Sequence, residues 1–126
     1  MSSPVRIATA GVLAFRIAYG VGLIAAPRKL AGGKWLGDAV DRTGAQVPLR
    51  ALGAREAGIH GAALAALFSG RPVRPMLLVS IAGDLSDIVA TTAARRDLPE
   101  GSPAATAVVA GGSLALTAGL AALVEE

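Results

Sequence analysis

The 126-residue chain is 53% apolar and only 17% charged, carries a net charge of +3, and has four aromatic residues and no cysteine. That length suits one compact domain, and the lack of cysteine excludes disulfide frameworks and thiolate zinc sites. A soluble domain has roughly a quarter of its residues charged, so this chain points to helices in lipid. Its basic residues lie mostly in short connections rather than along one stripe, which excludes a nucleic-acid-binding reading.

The first apolar stretch covers about residues 4–26 and holds Arg16. Arg6 before an apolar run gives it the look of a signal peptide. Arg16 interrupts that run, however, and Ile24 stands where a cleavage site needs a small residue, so an uncleaved first span is expected. In the connection that follows, Lys34, Asp38, Asp41 and Arg42 can share one face of a short helix and Trp35, Leu36, Ala39 and Val40 the other. That pattern fits a helix at the membrane surface anchored by Trp35, or an ordered polar loop.

The second stretch, about 48–68, holds Arg50, Arg55, Glu56 and His60. The third, about 72–94, holds Arg74, Asp84 and Asp87, and follows the tight turn Ser69-Gly70-Arg71-Pro72. The fourth, about 103–124, has no charge at all and is long enough for a bilayer core of roughly 20 residues; Ser102-Pro103 reads as its capped start. None of the four has the polar residue every third or fourth position of a soluble amphipathic helix. The expected fold is therefore an all-α, four-helix transmembrane bundle forming a single integral membrane domain over residues 1–126. The soluble alternative is an unusually apolar helical bundle. Small residues at four-residue spacing (Gly53, Ala57, Gly61 and Ala65; Ala107, Gly111, Ala115 and Gly119) suit close helix packing. They are expected to pack the bundle internally, with a homo-oligomer or a larger membrane complex as the alternative use.

Seven Lys and Arg residues lie in or beside the first and third connections (Arg28, Lys29, Lys34, Arg42, Arg50, Arg95, Arg96) and three on the other side (Arg6, Arg71, Arg74). The positive-inside bias places the first and third loops in the cytoplasm of a multi-pass plasma (inner) membrane protein.

Charges within spans are costly and usually face the protein interior in pairs. At about 1.5 Å of rise per residue, Arg16, His60 and Asp84 come out at nearly one depth, roughly 16–18 Å from the side of the first and third loops. Glu56 and Asp87 form a shallower layer at about 12 Å, with Arg55 nearby. Glu56 and His60 share a helix face, as do Asp84 and Asp87. The ligand- or proton-binding candidates are thus Arg16, Arg55, Glu56, His60, Asp84 and Asp87.

The leading reading of these six is a structural ion-pair cluster: Arg16 with Asp84, Arg55 with Glu56 or Asp87, and His60 hydrogen-bonded. A proton or ion site comes next, since carboxylates beside a histidine exchange protons near physiological pH. A metal is not expected, because Glu56, His60, Asp84 and Asp87 make a weak ligand set and the arginines oppose a cation; nor is any cofactor. An intramembrane hydrolase lacks a nucleophile beside His60, with Ser80 expected to bond back to its own helix. A lipid head-group clamped by Arg16 and Arg55 is a further option. A cation-binding exporter would need an acid framed by aromatics, and only Phe15, Tyr19, Trp35 and Phe68 are available.

At Leu52-Gly53-Ala54-Arg55-Glu56-Ala57-Gly58 the chain resembles an uncharacterised family of short bacterial four-span membrane proteins, a domain of unknown function. The shared pattern is an arginine and a proline near the first span's ends (Arg16, Pro27), Gly-x-Arg followed by an acid in the second span, and the pair Asp84 and Asp87 in the third. The resemblance implies the four-helix fold and draws attention to Arg55, Glu56, Asp84 and Asp87; it implies no activity. The Ala-, Gly- and Arg-rich composition looks actinobacterial. The expected function is that of a non-enzymatic accessory or scaffold component, with a small proton-coupled transporter or ion-conducting oligomer second and an intramembrane enzyme third.

Overall fold

The computed structural model describes residues 1–124, and among them there is no strand. Four long helices, α1 (Ser3–Ala25), α3 (Thr43–Phe68), α4 (Arg74–Ala93) and α5 (Ser102–Leu123), are joined by short connections, with a five-residue helix α2 (Pro27–Ala31) after the first. Proline stands in the first turn of α1, α4 and α5, where its missing N–H costs nothing. α3 closes through the N–H of Arg71 onto the carbonyl of Ala66, across Gly70 at φ 66°, a left-handed position open to glycine.

Two boundaries differ from the sequence reading. α3 begins at Thr43, five residues before Pro48, which lies inside the helix; a proline this near the N-terminus forfeits only one backbone bond. The Ser102 hydroxyl does not cap α5. It donates instead to the carbonyls of Lys34 (2.9 Å) and Trp35, tying the start of α5 to the first connection. That connection is neither one surface helix nor plain loop. It runs through α2 and two further helical turns (Gly32–Leu36 and Gly37–Asp41), bent where Gly33 and Gly37 take φ 45° and 55°. The amphipathic split is nevertheless present: Val40 is buried, Trp35 and Leu36 pack inward, and Lys34, Asp38, Asp41 and Arg42 are exposed.

α1 packs mainly on α3, and α4 on α5, while the two pairs meet less extensively. The α1–α3 seam is very close. A Cβ added at Gly53 would lie 2.5 Å from the carbonyl oxygen of Gly20, and one at Gly20 2.6 Å from that of Gly53. The small-residue stripe of α3 thus works internally at its Gly53–Ala57 end. That of α5 does not: Ala107, Ala115 and Gly119 are exposed, and α5 turns Thr106, Ala110, Thr117 and Leu120 inward instead.

Two apolar clusters sit at opposite ends of the bundle. One gathers Leu13, Leu67, Val73, Leu77 and Leu120 near the α3–α4 turn; the other gathers Leu23, Ala31, Val40 and Leu49 under the first connection. Between them the interior is polar, with Arg16, Glu56, His60, Ser80 and Asp84 all buried, while Ile7, Phe15, Leu78, Val89, Val108 and Leu116 face outward. Water would favour the reverse distribution. α1, α4 and α5 are each long and apolar enough to cross a membrane. α3 has the length, at 26 residues, but its charged positions keep it out of that group.

Candidate functional site

The polar middle of the bundle is organised by Arg16. Its guanidinium forks onto Asp84 of α4, Nη1 to Oδ2 at 2.7 Å and Nη2 to Oδ1 at 2.6 Å. The opposite edge donates to Glu56 Oε2 of α3, from Nε at 3.2 Å and Nη2 at 2.9 Å. Only arginine has the planar array of donors to serve two carboxylates in this way. The three side chains are nearly inaccessible, so the pairing is what makes their burial tolerable. One turn below Arg16, Gly20 lets α1 approach α3 closely enough for the Glu56 contact.

Arg55 lies at the edge of this cluster. Its Nη2 is 3.6 Å from both Glu56 Oε1 and Asp87 Oδ2, and its guanidinium rests against Gly83, where a Cβ would come within 3.4 Å. Arg55 and Asp87 are both partly open to the surroundings. All the ion pairs expected from sequence are therefore within reach of one another.

His60 is completely buried and belongs to a separate contact. Its Nδ1 lies 2.6 Å from the carbonyl oxygen of Glu56, one turn earlier in α3. A carbonyl only accepts, so Nδ1 carries the hydrogen and, in the neutral ring, Nε2 is the acceptor. Ser80 Oγ of α4, 2.9 Å away, donates to it. This corrects the expectation that Ser80 bonds to its own helix and that no hydroxyl stands beside His60. The pairing gives both buried polar groups a partner, which neither would have facing lipid. Glu56 Oε2 is also 3.5 Å from His60 Nδ1, so serine, histidine and carboxylate are in sequence, but His60 and Ser80 are closed off and neither lines the cleft described next.

A cleft of about 370 Å³ reaches the cluster from the side where α1 and α5 barely touch. Its floor is formed by Arg16, Glu56, Asp84 and Asp87, and its walls include Phe15, Tyr19, Leu52, Val109 and Ala110. Trp35, Lys29 and Lys34 of the first connection cover one end. Trp35 is held there by its Nε1–H, 3.3 Å from Thr91 Oγ1. Thr106 of α5 also lines the cleft, and its buried hydroxyl has no hydrogen-bond partner.

Among the described residues no group of three His, Asp or Glu side chains is placed to hold a metal ion. Glu56, His60, Asp84 and Asp87 do not converge as ligands, because Arg16 occupies the space between Glu56 and Asp84 and His60 turns to Ser80.

No family model, curated protein or solved structure matches this chain.

Thr106 and the gathering of Phe15, Tyr19 and Trp35 at one cleft were missed from sequence, and Ser80 was assigned the wrong partner. A signal for Thr106 was present: Ser102, Thr106, Ser113 and Thr117 are the hydroxyl residues of an uncharged α5, and at 102, 106, 113 and 117 they recur at helical spacing.

Proposed function

We propose that this chain is a four-span integral membrane protein of the inner membrane, in which the Arg16–Glu56–Asp84 cluster locks the α1–α3 pair to the α4–α5 pair. On this reading it acts as a non-enzymatic accessory or scaffold component. The observation that carries the proposal is Arg16 forked onto Asp84 while holding Glu56, with all three buried. α3 then crosses as the fourth span with its charges turned inward, since Glu56 and His60 are buried and Arg55 reaches Asp87 rather than lipid. The loops holding Arg28, Lys29, Arg95 and Arg96 face the cytoplasm.

A second reading, a small proton-coupled transporter, draws support from one feature: the contacts between the two helix pairs at mid-bundle are polar (Arg16–Asp84, Arg55–Asp87, His60–Ser80). Polar seams between rigid pairs suit two discrete arrangements. Catalysis has less support, because the buried Ser80–His60 pair is sealed from the cleft.

The test is thermal unfolding of purified protein in detergent, wild type against Asp84→Asn and Glu56→Gln. Removing one partner of a buried ion pair costs about 3–5 kcal/mol, so both variants should melt well below wild type. Equal or higher stability in both would refute the lock and turn attention to ligand or proton binding.

A further inference from the structure

We propose that the lateral cleft between α1 and α5 is a binding site for a protonated amine with an apolar body. The proposal goes beyond the lock reading and shares with it only the placement of the bundle in lipid.

Charge balance is the first support. Glu56, Asp84 and Asp87 supply three carboxylates, whereas Arg16 and Arg55 supply two guanidiniums within reach of them. Three against two leaves one negative charge at the cleft floor, in surroundings where an unbalanced charge is costly. Lys29 and Lys34 line the far end of the cleft but are exposed and form no ion pair with these carboxylates. Asp87 is the most accessible acid of the three, held by a single contact to Arg55 at 3.6 Å. One monovalent cation beside Asp87 balances the site, as a proton on its carboxylate would.

Second, Thr106 is only 8% exposed, lines the cleft, and has a hydroxyl without a partner. Buried polar groups in native proteins nearly always have one; of the two such hydroxyls among the described residues, Thr106 and Thr117, only Thr106 belongs to the cleft lining, where a ligand N–H is the donor within reach. A quaternary ammonium provides no such donor; a metal ion can take the hydroxyl oxygen as a ligand, but it has no apolar body to set against the aromatic residues of the cleft.

Third, three of the four aromatic residues in the chain, Phe15, Tyr19 and Trp35, line this one cleft. Aromatic faces attract organic ammonium ions, and they offer an apolar body a matching surface. The cleft volume of about 370 Å³ suits a small organic molecule.

Trp35 is the sole tryptophan, so its fluorescence reports occupancy directly. Purified full-length protein in detergent is titrated with phenethylammonium and, in parallel, with its neutral isostere n-propylbenzene. The expected result is a saturable change with the amine alone, weakened about tenfold or more in Asp87→Asn and in Thr106→Val, with each variant shown to be folded by a cooperative melt above the assay temperature. The proposal is overturned by saturation at equal concentrations with n-propylbenzene, by no saturable response to the amine in folded protein, or by unchanged affinity in Asp87→Asn. Saturation by dodecyl phosphate in place of the amine also overturns it, assigning the cleft to Lys29 and Lys34. Failure on any of these counts leaves the lock untouched, because that reading stands or falls on the melting of Asp84→Asn and Glu56→Gln.

Discussion

The close approach of α1 and α3 can be tested with a single methyl group. In Gly53→Ala the new Cβ would lie 2.5 Å from the Gly20 carbonyl oxygen, 2.9 Å from Leu23 Cβ and 3.0 Å from Ile24 Cγ1. Two of these atoms are backbone or the root of a side chain and cannot swing away. An ordinary contact needs about 3.4 Å or more, so the helices must part by roughly 1 Å, and overpacking of this kind costs about 1–3 kcal/mol. Gly58→Ala is the matched control on the same helix: nothing lies within 4 Å of its Cβ, and alanine should stabilise by up to about 1 kcal/mol through helix propensity. The two substitutions should therefore differ by about 2–4 kcal/mol, taking both estimates together. At roughly 4 °C per kcal/mol for a chain of this size, the melting points in detergent should separate by about 8 °C or more. The strain also acts on the charged cluster, since Arg16 and Glu56 each lie one turn from the contact and their 2.9 Å bond lengthens as the seam opens. If Gly53→Ala and Gly58→Ala melt at the same temperature, the close seam does not exist as described.

Two further expectations are simpler. Ser80→Ala leaves His60 Nε2 buried without a donor and should lower stability by about 1–3 kcal/mol, and a fluorophosphonate probe should leave native Ser80 unlabelled because the hydroxyl is sealed; rapid labelling would revive hydrolysis. The chain has no cysteine, so single cysteines at Lys29, Gly70 and Arg96 can be tested with an impermeant maleimide in intact cells: Gly70→Cys should react, with Lys29→Cys and Arg96→Cys protected until lysis, and reaction of all three from outside would refute the four-span topology.

The charged cluster was readable because helical rise is uniform. Arg16 precedes Pro27 by the same interval as Asp84 precedes Arg95, and those two residues do meet, at 2.6 Å. The Glu56–His60 spacing of four placed both side chains on one buried face, but not the way they divide, with Glu56 going to Arg16 and His60 to Ser80. Ser80 was assigned a bond within its own helix because a helical hydroxyl commonly turns to a local carbonyl, and only the packing of α3 against α4 decides that it turns to His60. The aromatic lining was equally hidden: Phe15, Tyr19 and Trp35 come from two elements whose juxtaposition depends on how the Pro27–Asp41 segment folds back. That path depends on positive φ at Gly33 and Gly37, and glycine is permissive of many conformations without specifying one. Pro48 misled the α3 boundary because proline marks a helix start more often than a sixth position. The inward use of the α5 stripe failed for a related reason, since Ala and Gly pack equally well on either face, and the hydroxyl residues of α5 decided which one turned in.

The partners of Arg16 lie 40 and 68 residues downstream. Synthesis runs from the N-terminus, so the first helix emerges with its guanidinium before either carboxylate has been made. Glu56 arrives with α3 and gives partial relief; Asp84 comes only when α4 is complete. The first helix is thus a poor resident of lipid by itself and must linger near water or the insertion machinery until its companions appear. In this bundle the order of birth and the order of settling differ: Arg16 is made long before its charge is fully matched.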